Sequence, residues 1–190
     1  MAEADRERWD ARYRGGGRPA PAGGFLQELD VLLPRHGRAL DVACGRGALC
    51  LWLAQRGFEV TGVDVSAVAL DQLRAEARAR GLSIATGALD LETEPLPAGD
   101  FDLICCMHYR QPALVSELIA RLSPGGVLAI EQHTVDNLAL HARPSRRFLA
   151  ERGELARQVL DADRPLRLER YSEGVVEGRA VARVLARAFD

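Results

Sequence analysis

The chain has 190 residues, 47% of them hydrophobic, and a formal net charge of -2, which fits a single domain able to bury a substantial core. All 25 cationic residues are Arg, and Lys is absent, which excludes a Schiff-base lysine and a phosphate-loop lysine. The Arg residues are interspersed with Asp and Glu, so no basic face for nucleic acid stands out.

In chain order, "MAEADRERWD" lacks the apolar core of a targeting peptide, and no later window reaches the length needed to cross a bilayer. The expectation is a cytoplasmic protein that works without membrane. Trp9 and Tyr13 are spaced i,i+4 on one face of a helical stretch, a pattern that fits packing on a core or an arm that closes over a ligand. "RGGGRPAPAGG" (14 to 24) reads as a flexible linker. The expected organisation is an arm and Gly-rich linker over residues 1–24 and one domain over 25–190.

Beyond the linker, apolar β-branched runs alternate with helical patterns. Strands are predicted near 38 to 43, 58 to 63, 82 to 86, 100 to 106 and 126 to 131, with helices near 47 to 56, 66 to 80 and 112 to 122. Wholly apolar strands such as "FDLICCM" suit a parallel sheet covered on both faces, and right-handed crossovers make this a doubly wound α/β layer. "RPLRLERYSEGVVEGRAVARVLARAF" holds two strand-like alternations around a glycine turn and predicts an antiparallel hairpin at a sheet edge. Cys105 and Cys106 should point to opposite faces of a strand, and Cys44 and Cys50 lack the spacing of paired metal ligands, so all four read as free buried thiols. The histidines show no metal-binding spacing, and no metal is expected.

The stretch "ALDVACGRGALCLWLAQRGFEVTGVDVS" places Asp41 and Asp64 at the ends of two strands with a glycine turn between them. In an open parallel sheet, ligands bind outside the carboxyl ends of the strands where strand order reverses. Glycines there allow close backbone approach, and an acid ending the second strand can accept both ribose hydroxyls. Each acid also has a plainer role, as a turn residue or helix cap. A dinucleotide site would want Gly or Ala where "GRGALC" ends in Cys50, and Asp41 would repel a pyrophosphate while attracting a cation. These residues therefore point to a cofactor with a ribose, a positive charge and no pyrophosphate.

"ALDVACGRG", "VTGVDVS", "ALDLETEPLPAGDFDLICCMHY" and "LSPGGVLAIEQ", in that order over residues 38 to 132, resemble the motif series of the class I S-adenosylmethionine-dependent methyltransferases. The resemblance implies a Rossmann-like seven-stranded sheet, mostly parallel, whose last strand is antiparallel, and S-adenosylmethionine as cofactor. It implies that Asp41, Ala43, Gly45 and Gly47 form the methionine-side turn, Ala43 standing where Gly is commoner. Asp64 would hold the ribose, Val65 would flank the adenine, and Asp90 and Leu91 would meet its edge. Tyr13 would reach the cofactor from the arm. "RERWDARY", "HYRQP", "GELARQV" and "YSEGVVEGRA" are similar to small bacterial members grouped with the tellurite-resistance and thiopurine-type methyltransferases.

His108 and Tyr109 follow the fourth strand, where this fold positions a methyl acceptor, and are the candidate catalytic pair; a structural histidine is the plain alternative. His133 is a lesser candidate on the same geometry. "HTVDNLALHARPSRRFLAERGE" carries Arg143, Arg146 and Arg147, which could clamp an anion, although solvated surface is the commoner fate. The expected reaction is methyl transfer to a small, anionic or soft acceptor, a thiol or metalloid, by a monomer or homodimer with no nucleic-acid partner. A non-catalytic S-adenosylmethionine-binding module and a nicotinamide-dependent oxidoreductase are the alternatives, the latter opposed by Asp41 and Cys50.

Overall fold

The computed structural model describes residues 2–16 and 24–190. Most of the expected linker, residues 17–23, lies outside the described residues. Helix α1 (Ala2–Arg14) carries Glu3 and Asp5 in its first turn and Arg12 and Arg14 in its last, complementing the helix dipole. Asp5, Trp9, Asp10 and Tyr13 are its half-buried positions, so the helix docks through one narrow stripe. A short helix α2 (Gly24–Glu28) follows and buries Phe25 and Leu26.

The body alternates β1 (Gly37–Val42), α3 (Ala48–Gln55), β2 (Phe58–Asp64), α4 (Ala67–Ala79), β3 (Ile84–Ala88), β4 (Phe101–Met107), α5 (Leu114–Ala120) and β5 (Leu122–His133). Helix α6 (Glu154–Leu160) and the hairpin β6 (Leu166–Val176) and β7 (Arg179–Ala188) complete it. The seven strands form one sheet in the order β3-β2-β1-β4-β5-β7-β6. The pairs from β3 through β5 are parallel, and β7 is antiparallel to both β5 and β6. The expected C-terminal hairpin is present, with β7 inserted beside β5 and β6 forming the edge.

Alternation along the strands distributes the core between two faces. Leu40, Ile104, Cys106, Leu128 and Val184 join α5 and α6 on one side, while Ala39, Leu103, Cys105, Ala129 and Leu185 join α2, α3 and α4 on the other. Cys105 and Cys106 thus face opposite sides, and all four thiols are free. Each buried Leu in these layers contributes about 1.5–3 kcal/mol.

The chain moves from β1 outward to β3 and then returns to pair β4 on the other side of β1. The reversal point lies between β1 and β4, and the carboxyl ends of β1, β2, β4 and β5 form the rim where such a sheet takes ligands.

Candidate active site

Beyond β1 the backbone turns through left-handed conformations at Ala43 (φ 55), Gly45 (φ 53) and Gly47 (φ 70). Glycine adopts these freely, whereas Ala43 bears about 1–2 kcal/mol of strain. A Cβ at Gly45 would stand 2.7 Å from the Tyr13 hydroxyl, and one at Gly47 would collide with the Leu73 side chain. Both positions need glycine for space as well as for backbone conformation.

Asp64, buried at the end of β2, ties the turn to the neighbouring strand. Its Oδ2 accepts the Gly45 N–H at 2.8 Å and its Oδ1 accepts the Ser66 N–H at 2.9 Å. The Val65 N–H also bears on this carboxylate, and a carboxylate has about four acceptor sites, so Asp64 keeps room for a further donor. Burial raises the Asp64 pKa against the pull of these backbone bonds. Asp41, 3% exposed, accepts the Cys50 thiol at 3.1 Å. Burial, opposed by that hydrogen bond and reinforced by Asp64, lifts its carboxyl to about 7. Two acids held so close in a dry site favour a cationic neighbour.

Helix α1 packs against α4 beside this turn. The Tyr13 carbonyl accepts from Arg46 Nη2 at 2.8 Å and from Gln72 Nε2 at 3.2 Å. Asp10 accepts the Ser66 hydroxyl. The Arg46 guanidinium lies 5.5 Å from the Tyr13 ring centroid, and Trp9 stacks on Tyr13 at 5.9 Å. Burial first, then the nearby Asp64, push the Tyr13 phenol up to about 12, so it stays a neutral donor. Trp9 packs on Tyr13, and Tyr13 stands beside the glycine turn.

Past β3, Asp90 Oδ1 accepts the Glu92 N–H at 3.0 Å in an Asx turn. Its buried Oδ2 has no hydrogen-bond partner among the described residues. Leu91 packs into the core and Val65 is half-buried beside Asp64.

His108 begins the loop after β4 in a left-handed conformation (φ 60), a strained one for a non-glycine residue. Its N–H donates to the Glu131 carbonyl at 2.7 Å, its Nε2 lies 3.1 Å from Glu131 Oε1, and its ring stacks on His133 at 4.6 Å with 9° between planes. Burial lowers the His108 pKa, with Glu131 opposing and Arg183 and Arg179 assisting. Burial and His108 hold His133 down at about 4, so it is neutral near pH 7. Tyr109 donates to Gln111 Oε1 at 2.8 Å, and burial raises its pKa.

The three arginines of the basic loop stand in different settings. Arg146 pairs with Glu151 at 2.7 Å and both are exposed. Arg147 lies over the Phe148 ring at 4.4 Å, and Arg8 of α1 approaches the same ring at 5.9 Å. Arg143 meets Asn137 through its carbonyl, not its guanidinium.

Glu131, Arg183 and Asp10 were not singled out from the sequence, whereas Ser66 caps α4 as its place after Asp64 suggested. Glu131 carried one signal, an acid directly after the apolar run 127–130.

An open sheet of this order, with acids ending its first two strands around a glycine turn, has the class I methyltransferase fold. A methyltransferase domain family model matches residues 39–126. The chain is 33% identical over 150 residues to a malonyl-[acyl-carrier protein] O-methyltransferase of Enterobacter lignolyticus, covering 66% of this chain and 58% of that one. TehB from Haemophilus influenzae superposes with a TM-score of 0.74 at 20% identity, over 96% of this chain and 66% of that one. The magnesium protoporphyrin IX methyltransferase ChlM from Synechocystis PCC 6803, solved with bound SAH, gives 0.70 at 17% identity over 97% and 98%. Residues 39–126 thus match a methyltransferase domain, within a chain that has the class I methyltransferase fold. The chain spans about half the length of the curated relatives it matches. No helix among the described residues is long and apolar enough to cross a membrane.

Proposed function

We propose that the protein transfers a methyl group from S-adenosylmethionine to a small acceptor. The observation that carries this reading is the Asp64 carboxylate, fixed by backbone N–H groups with acceptor capacity left over, near a second buried acid, Asp41. A ribose diol supplies two donors and a sulfonium amino acid supplies the positive charge. The unpartnered Asp90 Oδ2 suits an exocyclic amine. In this reading Asp41, Ala43, Gly45 and Gly47 cradle the methionine end, Val65 and Leu91 line the adenine, and Tyr13 covers the site from an arm formed by residues 1–24 over a domain of 25–190.

When bound, the cofactor supplies an already activated methyl group, so the protein's main task is orientation. The glycine turn fixes the donor side, α1 excludes water, and His108 and Tyr109 face the acceptor side at the end of β4. A thiolate or metalloid oxyanion needs no base, whereas an acceptor arriving protonated gives its proton to His108. The acceptor in this reading is small and anionic or soft. The pairing of His108 with Glu131, and the O-methyltransferase names of the curated relatives, favour an oxygen acceptor as a second reading. A cytoplasmic setting accords with four free thiols, and the protein works as a monomer or homodimer without nucleic acid.

Calorimetry tests the cofactor assignment. S-adenosylmethionine and its demethylated product should both bind and NAD should not; preferential binding of NAD would replace the proposal with the oxidoreductase reading.

A further inference from the structure

Near the end of β5, directly after the apolar run 127–130, the fold buries a charged group. Glu131 is 9% exposed and is held by two different neighbours. Its Oε2 accepts Arg183 Nε at 2.5 Å, and its Oε1 lies 3.1 Å from His108 Nε2. Arg183 is itself fixed, with Nη1 3.5 Å from Glu28 Oε2 and its guanidinium 5.2 Å from the Phe25 ring centroid. A guanidinium only donates, so Arg183 commits one Glu131 oxygen and leaves the other for the imidazole. His133 stacks on the face of that imidazole, and the His108 N–H donates to the Glu131 carbonyl where the His108 backbone is left-handed.

We propose that Glu131 is a positioning residue that fixes the Nε2–H tautomer of His108, leaving the Nδ1 lone pair to take the proton of a hydroxyl or thiol acceptor. The inference rests on the methyltransferase reading and names the acceptor class for it, one that arrives protonated. The proton leaves the acceptor for Nδ1, the acceptor's lone pair forms the new bond to the methyl carbon, and the electrons of the broken carbon–sulfur bond stay on sulfur. The imidazolium so formed sits against the Glu131 carboxylate, which stabilises it.

The charged and titratable groups facing His108 are Glu131 and His133 from β5 and Arg179 and Arg183 from β7. Glu131 alone among them supports the protonated form. His133 is neutral at the working pH, and the two arginines hold the His108 pKa down together with burial. His108 is therefore a neutral base at neutral pH whose acidic limb depends on the Glu131 charge.

Glu131→Gln gives the decisive perturbation. Arg183 would retain the amide oxygen, the amide NH2 would then face His108 Nε2, and the imidazole proton would have to move to Nδ1. Long-range proton–nitrogen NMR correlations on nitrogen-labelled protein read the tautomer directly, without an acceptor. The expected result is Nε2–H in the native protein and Nδ1–H in the variant. With a phenol probe, kcat should fall about 100-fold or more, and the acidic limb of its pH profile should move to lower pH. A thiophenol probe, already ionised at neutral pH, should be nearly unaffected. An Nδ1–H tautomer in the native protein would overturn the proposal even if the variant fails to fold. So would a variant with the native tautomer and an unmoved limb. Absence of S-adenosylmethionine binding in calorimetry would instead refute the function, and the tautomer result would still stand.

Discussion

Asp64→Asn isolates the contact on which the cofactor reading depends. The native carboxylate accepts backbone N–H groups at both oxygens, at 2.8 and 2.9 Å. Asparagine keeps one oxygen and turns an NH2 toward the other backbone donor, so one of Gly45 and Ser66 loses its acceptor. A lost hydrogen bond of this kind costs about 1–3 kcal/mol in stability, which for a chain of this size lowers Tm by roughly 2–12 °C. In the bound state one ribose hydroxyl loses a charged acceptor, worth about 1.5–3 kcal/mol. At 1.4 kcal/mol per decade, Kd for S-adenosylmethionine should rise about 10- to 150-fold. Calorimetry below the reduced Tm, with circular dichroism to confirm folding, measures both effects. A folded variant whose Kd stays within about twofold of native would remove Asp64 from the binding site.

Asp41 makes stability pH-dependent: its folded carboxyl, raised to about 7 by burial, favours the protonated native state, so its contribution is full below about pH 4 and is lost as pH rises through about 7. Urea titrations of native protein and Asp41→Asn should converge at acid pH and diverge toward pH 8, with Asn the more stable; parallel curves would refute the assignment. Binding of the sulfonium cofactor should release a proton from the same group, read as a buffer-dependent binding enthalpy near pH 7 that Asp41→Asn abolishes. Gly47→Ala should destabilise by about 2–3 kcal/mol in denaturant titration, because φ is 70 and the new methyl meets Leu73. Deleting residues 1–13 should leave a folded body with weaker cofactor binding; equal hydrogen exchange of α1 with and without cofactor would assign it to packing alone.

The β1–α3–β2 unit was legible because its signals are local. An apolar run, a forced glycine turn and helical spacing sit within 28 residues, "ALDVACGRGALCLWLAQRGFEVTGVDVS". Strand β5 was foreseen only over 126 to 131 because Pro124 and two glycines interrupt its start, yet it runs Leu122–His133. The hairpin was visible, but not which strand lies inside. In retrospect its burial explains the order: β7 is buried at most positions, whereas β6 alternates between half-buried and exposed ones. Asp41, Asp64 and the glycines were legible as strand-end and turn residues because their signals are local in the chain. The Glu131–His108–Arg183 assembly was not, because its members lie 23 and 52 residues from Glu131, and only the register of β5 against β4 and β7 brings them together. The pairing of Arg146 with Glu151, five residues away, was likewise not read from the sequence.

The central claim is methyl transfer to a small molecule, and one assay meets it directly. The purified protein is incubated with methyl-labelled S-adenosylmethionine and a panel of phenols, carboxylic acids, thiols, metalloid oxyanions and cell extract, and the products are separated by mass. Label should appear in small molecules, matched mole for mole by the demethylated cofactor and reduced in His108→Ala. Label confined to macromolecules would contradict the acceptor class, and cofactor bound but never demethylated would identify a binding module in place of an enzyme.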